Sequence, residues 1–253
     1  MIVARASESN HWYAKDGTPA YTVKSKTGEE RPTTLRDAKK LGLLPSVTTI
    51  IKAAANPGLE AWKMNQMMLA ALTLPRAENE PEESFIRRVQ SDSREHARMA
   101  AERGTNVHAA IEKFYDGTIE ADALPYLEPV YKAVHDTFGD LGWDVEKSFA
   151  SELGYAGKLD LSSPDDGGVV IDFKTKEFTE ETKDKVSGYD EHVMQLAAYR
   201  QGLEMPKARC ANIFVSVSQP GLVVVKEWTQ EELTRGWTMF NALKTYWYAK
   251  SKL

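Results

Sequence analysis

Cysteine is nearly absent from this chain. Cys210 is the only one in 253 residues. One thiol excludes an internal disulfide and any four-cysteine zinc or iron–sulfur site. An intracellular, reducing compartment fits. Glycine and proline are also sparse, at 16 and 11 residues, so no extended linker is indicated. No apolar run approaches ~18 residues, which argues against a membrane-spanning helix. The first residues, Met1 to Ala6, show no secretory h-region. A surplus of positive charge is missing too: the formal net charge is −5. That argues against a protein that simply coats nucleic acid, because neutralising phosphates takes surplus Lys and Arg. It leaves room for an enzyme with a local basic track, and a metal site built from carboxylates would itself push the charge down. No Gly-x-x-x-x-Gly-Lys-[Ser/Thr] run occurs. Gly154-Tyr155-Ala156-Gly157-Lys158 has a shorter spacing, is followed by Leu159 and leads into a strand, so no ATP motor is expected. The closing Ser251-Lys252-Leu253 matches a peroxisomal address, a three-residue pattern that also arises by chance.

What is present is ordinary for a soluble globular protein: 42% hydrophobic and 27% charged residues. The region 11–31 suggests a β-ribbon turning at Asp16-Gly17. Ser46 offers an N-cap for a short helix, and Asn56-Pro57-Gly58 reads as a break before a second helix through Trp62 to Leu72. Pro81 opens a long helical stretch to about Arg103, and Gly104-Thr105 starts another helix carrying His108. A further helix covers about 123–140. Strands follow at about 144–153, 156–161 and 168–174, then a charged loop, and a helix over about 190–203. Strands at about 209–217 and 222–228 and a last helix over about 230–250 complete the chain. The pattern predicts a mixed central β-sheet flanked by helices, in the α/β or α+β range. Residues 1–103 form a β-ribbon and helical region before a core at 104–253, with no composition shift that forces them apart. There is no internal repeat.

The most informative stretch is Asp172-Phe173-Lys174, twelve residues after Asp160. Two strand-like runs flank Ser163-Pro164-Asp165-Asp166-Gly167-Gly168, a turn signal. Their midpoint is position 166, so an antiparallel hairpin sets Asp160 and Asp172 opposite each other. Strand alternation puts Val169, Ile171 and Phe173 on one face and Asp172 and Lys174 on the other. Facing like charges destabilise a hairpin, so this pair points to a divalent metal. Hard carboxylate oxygens suit Mg²⁺ or Mn²⁺. Lys174 has two readings: it orients a water or stabilises charge on a phosphate oxygen, or it is a strand lysine paired with Asp172. Gln195 and Tyr199 share one helix face, with His192 a turn earlier. They either hydrogen-bond a phosphate and steady the lysine or form a plain polar flank. His108, with Glu112 a turn later, is either a structural histidine or an imidazole ligand that biases a site toward Mn²⁺. Arg87, Arg94 and Arg98 recur on one helical face, joined by Arg88 and Arg103. They make a phosphate track or a solvated face paired with Glu82, Glu83 and Glu95. Trp12, Tyr13 and Trp62 are core residues or base-stacking platforms.

Taken in order, the helix with Gly104-x-x-x-His108, then Gly157-x-x-Asp160, Asp172-x-Lys174 and Gln195-x-x-x-Tyr199, resembles the PD-(D/E)xK nuclease superfamily. The likeness is to the RecB-type exonuclease branch and covers about residues 104–200. Leu44-Pro45-Ser46-Val47-Thr48-Thr49 also looks like the N-terminal region of phage-encoded members. No proline precedes Asp160, so the literal Pro-Asp of the family name is missing. The resemblance implies a restriction-endonuclease-like core and a metal-dependent DNA exonuclease serving recombination or DNA processing. Endonuclease action on the same core, or a catalytically inactive DNA-binding module, are the alternatives. A small-molecule phosphohydrolase is the rival that ignores DNA. The resemblance further implies that His108, Asp160, Asp172 and the Phe173 carbonyl bind one or two Mg²⁺ or Mn²⁺ ions, with Glu152 as an extra ligand. Lys174 is then the catalytic lysine, supported by Gln195 and Tyr199. Linear DNA ends are the implied partner, in a cytoplasmic setting, that of a bacterial host if the chain is phage-encoded. A single-strand annealing or binding protein and self-association are further partners left open.

Overall fold

The computed structural model describes residues 11–253, so Met1 to Ala6 lie outside the described residues. β1 (Trp12–Tyr13) is followed by the hairpin of β2 (Thr22–Lys24) and β3 (Glu30–Pro32). Thr34 caps α1 (Leu35–Leu41) in a reciprocal box with Asp37, and Gly42 ends it in the left-handed region. β4 (Leu44–Pro45) pairs with β1. The turn expected at Asp16-Gly17 is present, with Gly17 at φ 87° and Tyr13 bridging Pro19 antiparallel, and β2 and β3 add a second hairpin that turns near Gly28. Ser46 caps α2 (Val47–Ile51), accepting from the Thr49 amide at 3.0 Å. The expected break between the two helices falls at 52–56, and Asn56 then caps α3 (Pro57–Thr73), so Pro57-Gly58 open the second helix. Proline suits a first turn, where its missing N–H would have had no partner.

α4 (Glu82–Tyr115) is one helix of 34 residues. The helix start expected at Gly104 does not exist, and the division expected at 103/104 falls inside α4. Gly104 is there for clearance: a Cβ would meet Thr175 Oγ1 at 2.5 Å. α5 (Leu124–Phe138) follows, then β5 (Asp144–Val145), the hairpin of β6 (Ser148–Ser151) and β7 (Tyr155–Lys158), β8 (Leu161–Ser163) and β9 (Val169–Lys176). α6 (Asp190–Gly202), β10 (Arg209–Ser216), β11 (Val223–Trp228) and α7 (Gln230–Ser251) complete the chain.

The fold is mixed α/β. Five strands form the main sheet in the order β11-β10-β9-β8-β5. β9 and β10 are parallel, joined by the α6 crossover, and the other neighbours are antiparallel. Helices cover both faces. Val170 and Cys210 pack under α6, α7 and α2. Val169, Ile171 and Phe173 pack with Ala211, Ile213 and Val215 against α4 and α5. Burial on both faces explains why β9 and β10 read as nearly continuous apolar runs. Trp12 and Tyr13 are core residues. Among the described residues, no helix is long and apolar enough to cross a membrane.

Candidate metal and nuclease site

β8 and β9 pair with Leu161 opposite Ile171, Ser162 opposite Val170 and Ser163 opposite Val169. Continued by one step, this register would set Asp160 opposite Asp172, the pair expected about a midpoint at 166, but the strand pairing ends at Leu161–Ile171. The single strand expected through Asp160 is in fact split. β7 pairs with β6, β8 pairs with β9, and Asp160 occupies the bend between them. Beyond Ile171 the β8-side edge of β9 therefore has no strand partner among the described residues. The Asp160 carboxylate takes that place, accepting from the Phe173 N–H at 2.7 Å.

Asp172 is 3% exposed, and its side chain is caged by donors. Lys174 Nζ donates to Oδ1 at 3.0 Å and lies 2.8 Å from Oδ2. Gln195 Nε2 donates to Oδ1 at 2.9 Å and Asn212 Nδ2 to Oδ2 at 2.7 Å. Burial raises the Asp172 carboxyl, and Asp160 adds to this against the pull of Lys174. Even so, each of these side-chain partners donates, so the cage is built for the carboxylate rather than the acid. Gln195 ties the group together: Oε1 accepts from Lys174 Nζ at 3.1 Å, and Nε2 also donates to the Tyr199 hydroxyl at 2.9 Å. Burial first, and Asp172 second, hold Tyr199 in its neutral form.

On the other flank, His108 Nε2 lies 3.1 Å from Asp160 Oδ2 and Nδ1 lies 2.7 Å from Glu112 Oε1. Burial pushes the imidazole down, but Asp160 and Glu112 outweigh it and raise His108 to about 10. Burial likewise raises Asp160, while His108, Lys174 and the Phe173 amide together pull it below the usual carboxylate range. Three carboxylates, Asp160, Asp172 and Glu112, thus face one imidazole and one ammonium, an excess of negative charge that a divalent cation would offset. The donor set fits such a cation in kind: hard oxygens, one imidazole, and a second carboxylate behind that imidazole. A metal-bound histidine commonly gives its other ring N–H to a carboxylate, the position Glu112 takes. Among the described residues, no three or more His, Cys, Asp or Glu side chains already stand in a metal-holding arrangement. His108 would have to lose its Nε2 proton to act as a ligand.

The structure thus brings together His108, Asp160, Asp172, Lys174, Gln195 and Tyr199. Phe173 reaches the site through its N–H, with its ring packed in the opposite core. Glu152 does not join. It sits in the exposed turn between β6 and β7, and their register pairs Ser148 with Lys158, so the turn is at the end away from Asp160. Six residues of extended chain separate Glu152 from the Asp160 level, about 20 Å. Asn212 is a participant the sequence reading missed. It is fully buried, pairs in register with Asp172 and accepts from Trp228 Nε1 at 2.8 Å. A lone amide inside Cys210-Ala211-Asn212-Ile213-Phe214 was its only signal. Of these arginines, Arg88 pairs with Glu80, Arg98 with Glu95 and Glu102, and Arg103 with Glu177.

No protein-family model matches the chain, and no curated protein matches it. A solved structure described as "Crystal structure of SSO0001" is similar over 73% of this chain and 86% of that one. The identity is 15% and the TM-score 0.30, too low to assign fold or function.

Proposed function

We propose that this chain is a divalent-metal-dependent DNA exonuclease of the RecB-type branch of PD-(D/E)xK nucleases, acting in DNA recombination or processing. The observation that carries the reading is buried Asp172 and half-buried Asp160 gathered beside Lys174, between His108–Glu112 and Gln195–Tyr199. Asp160, Asp172 and His108 Nε2, with the Phe173 carbonyl, are the groups that would hold Mg²⁺ or Mn²⁺. When bound, such an ion lowers the pKa of a water and polarises a phosphoryl oxygen. The protein's own contribution is placement. Gln195 and Asp172 fix the Lys174 ammonium where negative charge grows on a phosphate. Tyr199 fixes Gln195, and Glu112 orients the His108 ring.

The deciding experiment is digestion of 5′- and 3′-labelled linear DNA with Mg²⁺ or Mn²⁺, beside a covalently closed circle. Cleavage should need the metal and spare the circle. A cut circle would make the protein an endonuclease. Asp172→Ala and Lys174→Ala should each lose at least about 10²-fold in rate while unfolding cooperatively. Wild-type turnover in either variant would sink the assignment.

A further inference from the structure

Lys176 and Tyr189 lie outside the cluster described above, yet on its side of β9. Alternation puts Asp172, Lys174 and Lys176 on one face of the strand. Each two-residue step rises about 6.6 Å, comparable with one backbone step of an extended polynucleotide. Lys176 Nζ sits 4.1 Å from the Tyr189 ring centroid and donates to the Ser187 carbonyl at 3.2 Å. Lys174 Nζ reaches Gln195 in α6 and Lys176 Nζ reaches Ser187 and Tyr189 just before it, so both ammoniums lie against the N-terminal part of α6. Tyr189 stands at that start with half of its surface exposed. The carboxylates that follow it are engaged elsewhere. Asp190 accepts from Arg235 at 2.9 Å and Glu191 from Asn56 at 2.8 Å. Glu177, next to Lys176, pairs with Arg103.

We propose that Lys176 and Tyr189 form a subsite for the nucleotide adjacent to the cleaved linkage, and that the substrate is a single-stranded polynucleotide. The proposal rests on the nuclease reading above. Lys176 holds the neighbouring phosphate, and the Tyr189 ring stacks the base. A base paired within a duplex is not available to that ring; an unpaired one is. A small phosphate ester has no second phosphate and no second base, so this pair separates a polymer substrate from a small one.

The test is steady-state cleavage with Mn²⁺ by the full chain and by Lys176→Gln and Tyr189→Ala. Three substrates are compared: a linear single-stranded oligonucleotide, the same strand with abasic residues beside its terminal linkages, and bis(p-nitrophenyl) phosphate. Each substitution should raise KM for the intact oligonucleotide about tenfold with little change in kcat. The ratio of oligonucleotide to ester kcat/KM should fall in step. Lys176→Gln should also flatten the slope of log KM against log salt by about 0.7. Abasic strands should cost the wild type what Tyr189→Ala costs on intact strands, and Tyr189→Phe should restore most of that loss. Equal losses on oligonucleotide and ester, or an unchanged oligonucleotide KM, would overturn the subsite alone. Failure of the wild type to cleave any DNA with metal would overturn the nuclease reading and the subsite with it.

Discussion

On α6, Val193, Leu196, Ala197 and Ala198 are sealed beneath α7 and the sheet; on α3, Leu59, Met64, Met68, Leu69 and Leu72 face solvent, Leu72 at 83% exposure. Both helices carry many apolar residues. α6 has neighbours on nearly every side, whereas α3 packs against the outer part of α4 and fully buries only Ala70. Apolar content alone therefore does not tell which helix belongs to the core. Rigidity follows burial: the site hangs on β9 and α6, where side chains are packed and hydrogen-bonded. α4 joins the two regions, with its outer half beside α3 and its inner half presenting His108.

The contrast can be broken most directly by truncating one leucine in each region. Leu196→Ala should cost about 2–5 kcal/mol in urea unfolding. Leu72→Ala should stay within about 0.5 kcal/mol. Comparable losses would mean that α3 is as well supported as α6. A second test concerns the junction. Gly104→Ala sets a Cβ against Thr175 Oγ1, pushing α4 off β9 and shifting His108 from Asp160. The proposed nuclease activity should fall about tenfold through misplacement. Gly104→Ala/Thr175→Ala, which removes the opposing oxygen, should recover most of it; additive losses would show that the close approach is unimportant. The third and smallest effect is on pH. His192 is held neutral by burial, lowered from 6.5 to about 3, with Nδ1 accepting from the Tyr189 N–H. The unfolded chain binds a proton that the folded one refuses. This stability is complete above pH 6.5 and is lost as pH falls toward 3. His192→Gln should flatten the acid limb of a Tm–pH curve, and superimposable limbs would refute the neutral, buried assignment.

These regions also differ in how much of them is legible in the sequence. The hairpin at 166 is: a turn signal and period-2 alternation are local, and they set the β8–β9 register that ends one step short of Asp160 and Asp172. The Gln195–Tyr199 face is also local, one turn of helix. Asn212 is not, because its place beside Asp172 depends on a parallel pairing across the α6 crossover. Gly104 misleads for a related reason. In isolation it reads as a helix boundary, since glycine costs roughly 1 kcal/mol in a helix interior. The contact that needs glycine there comes from Thr175, seventy-one residues away. Glu152 misleads because β6 and β7 peel away from β9 as a separate pair, carrying their turn out of reach.

The segment from Pro164 to Gly168 has a consequence for how this chain tolerates change. β9 is anchored on its other side by β10, so an insertion in the turn would displace β8 and Asp160 but leave Asp172 and Lys174 in position. Side chains alternate with a period of two, so one added residue changes which face a strand position presents. Parity thus matters alongside composition, which Gly167 and Gly168 constrain through their left-handed φ: the turn is a ruler, and the distance it measures is the one between two carboxylates.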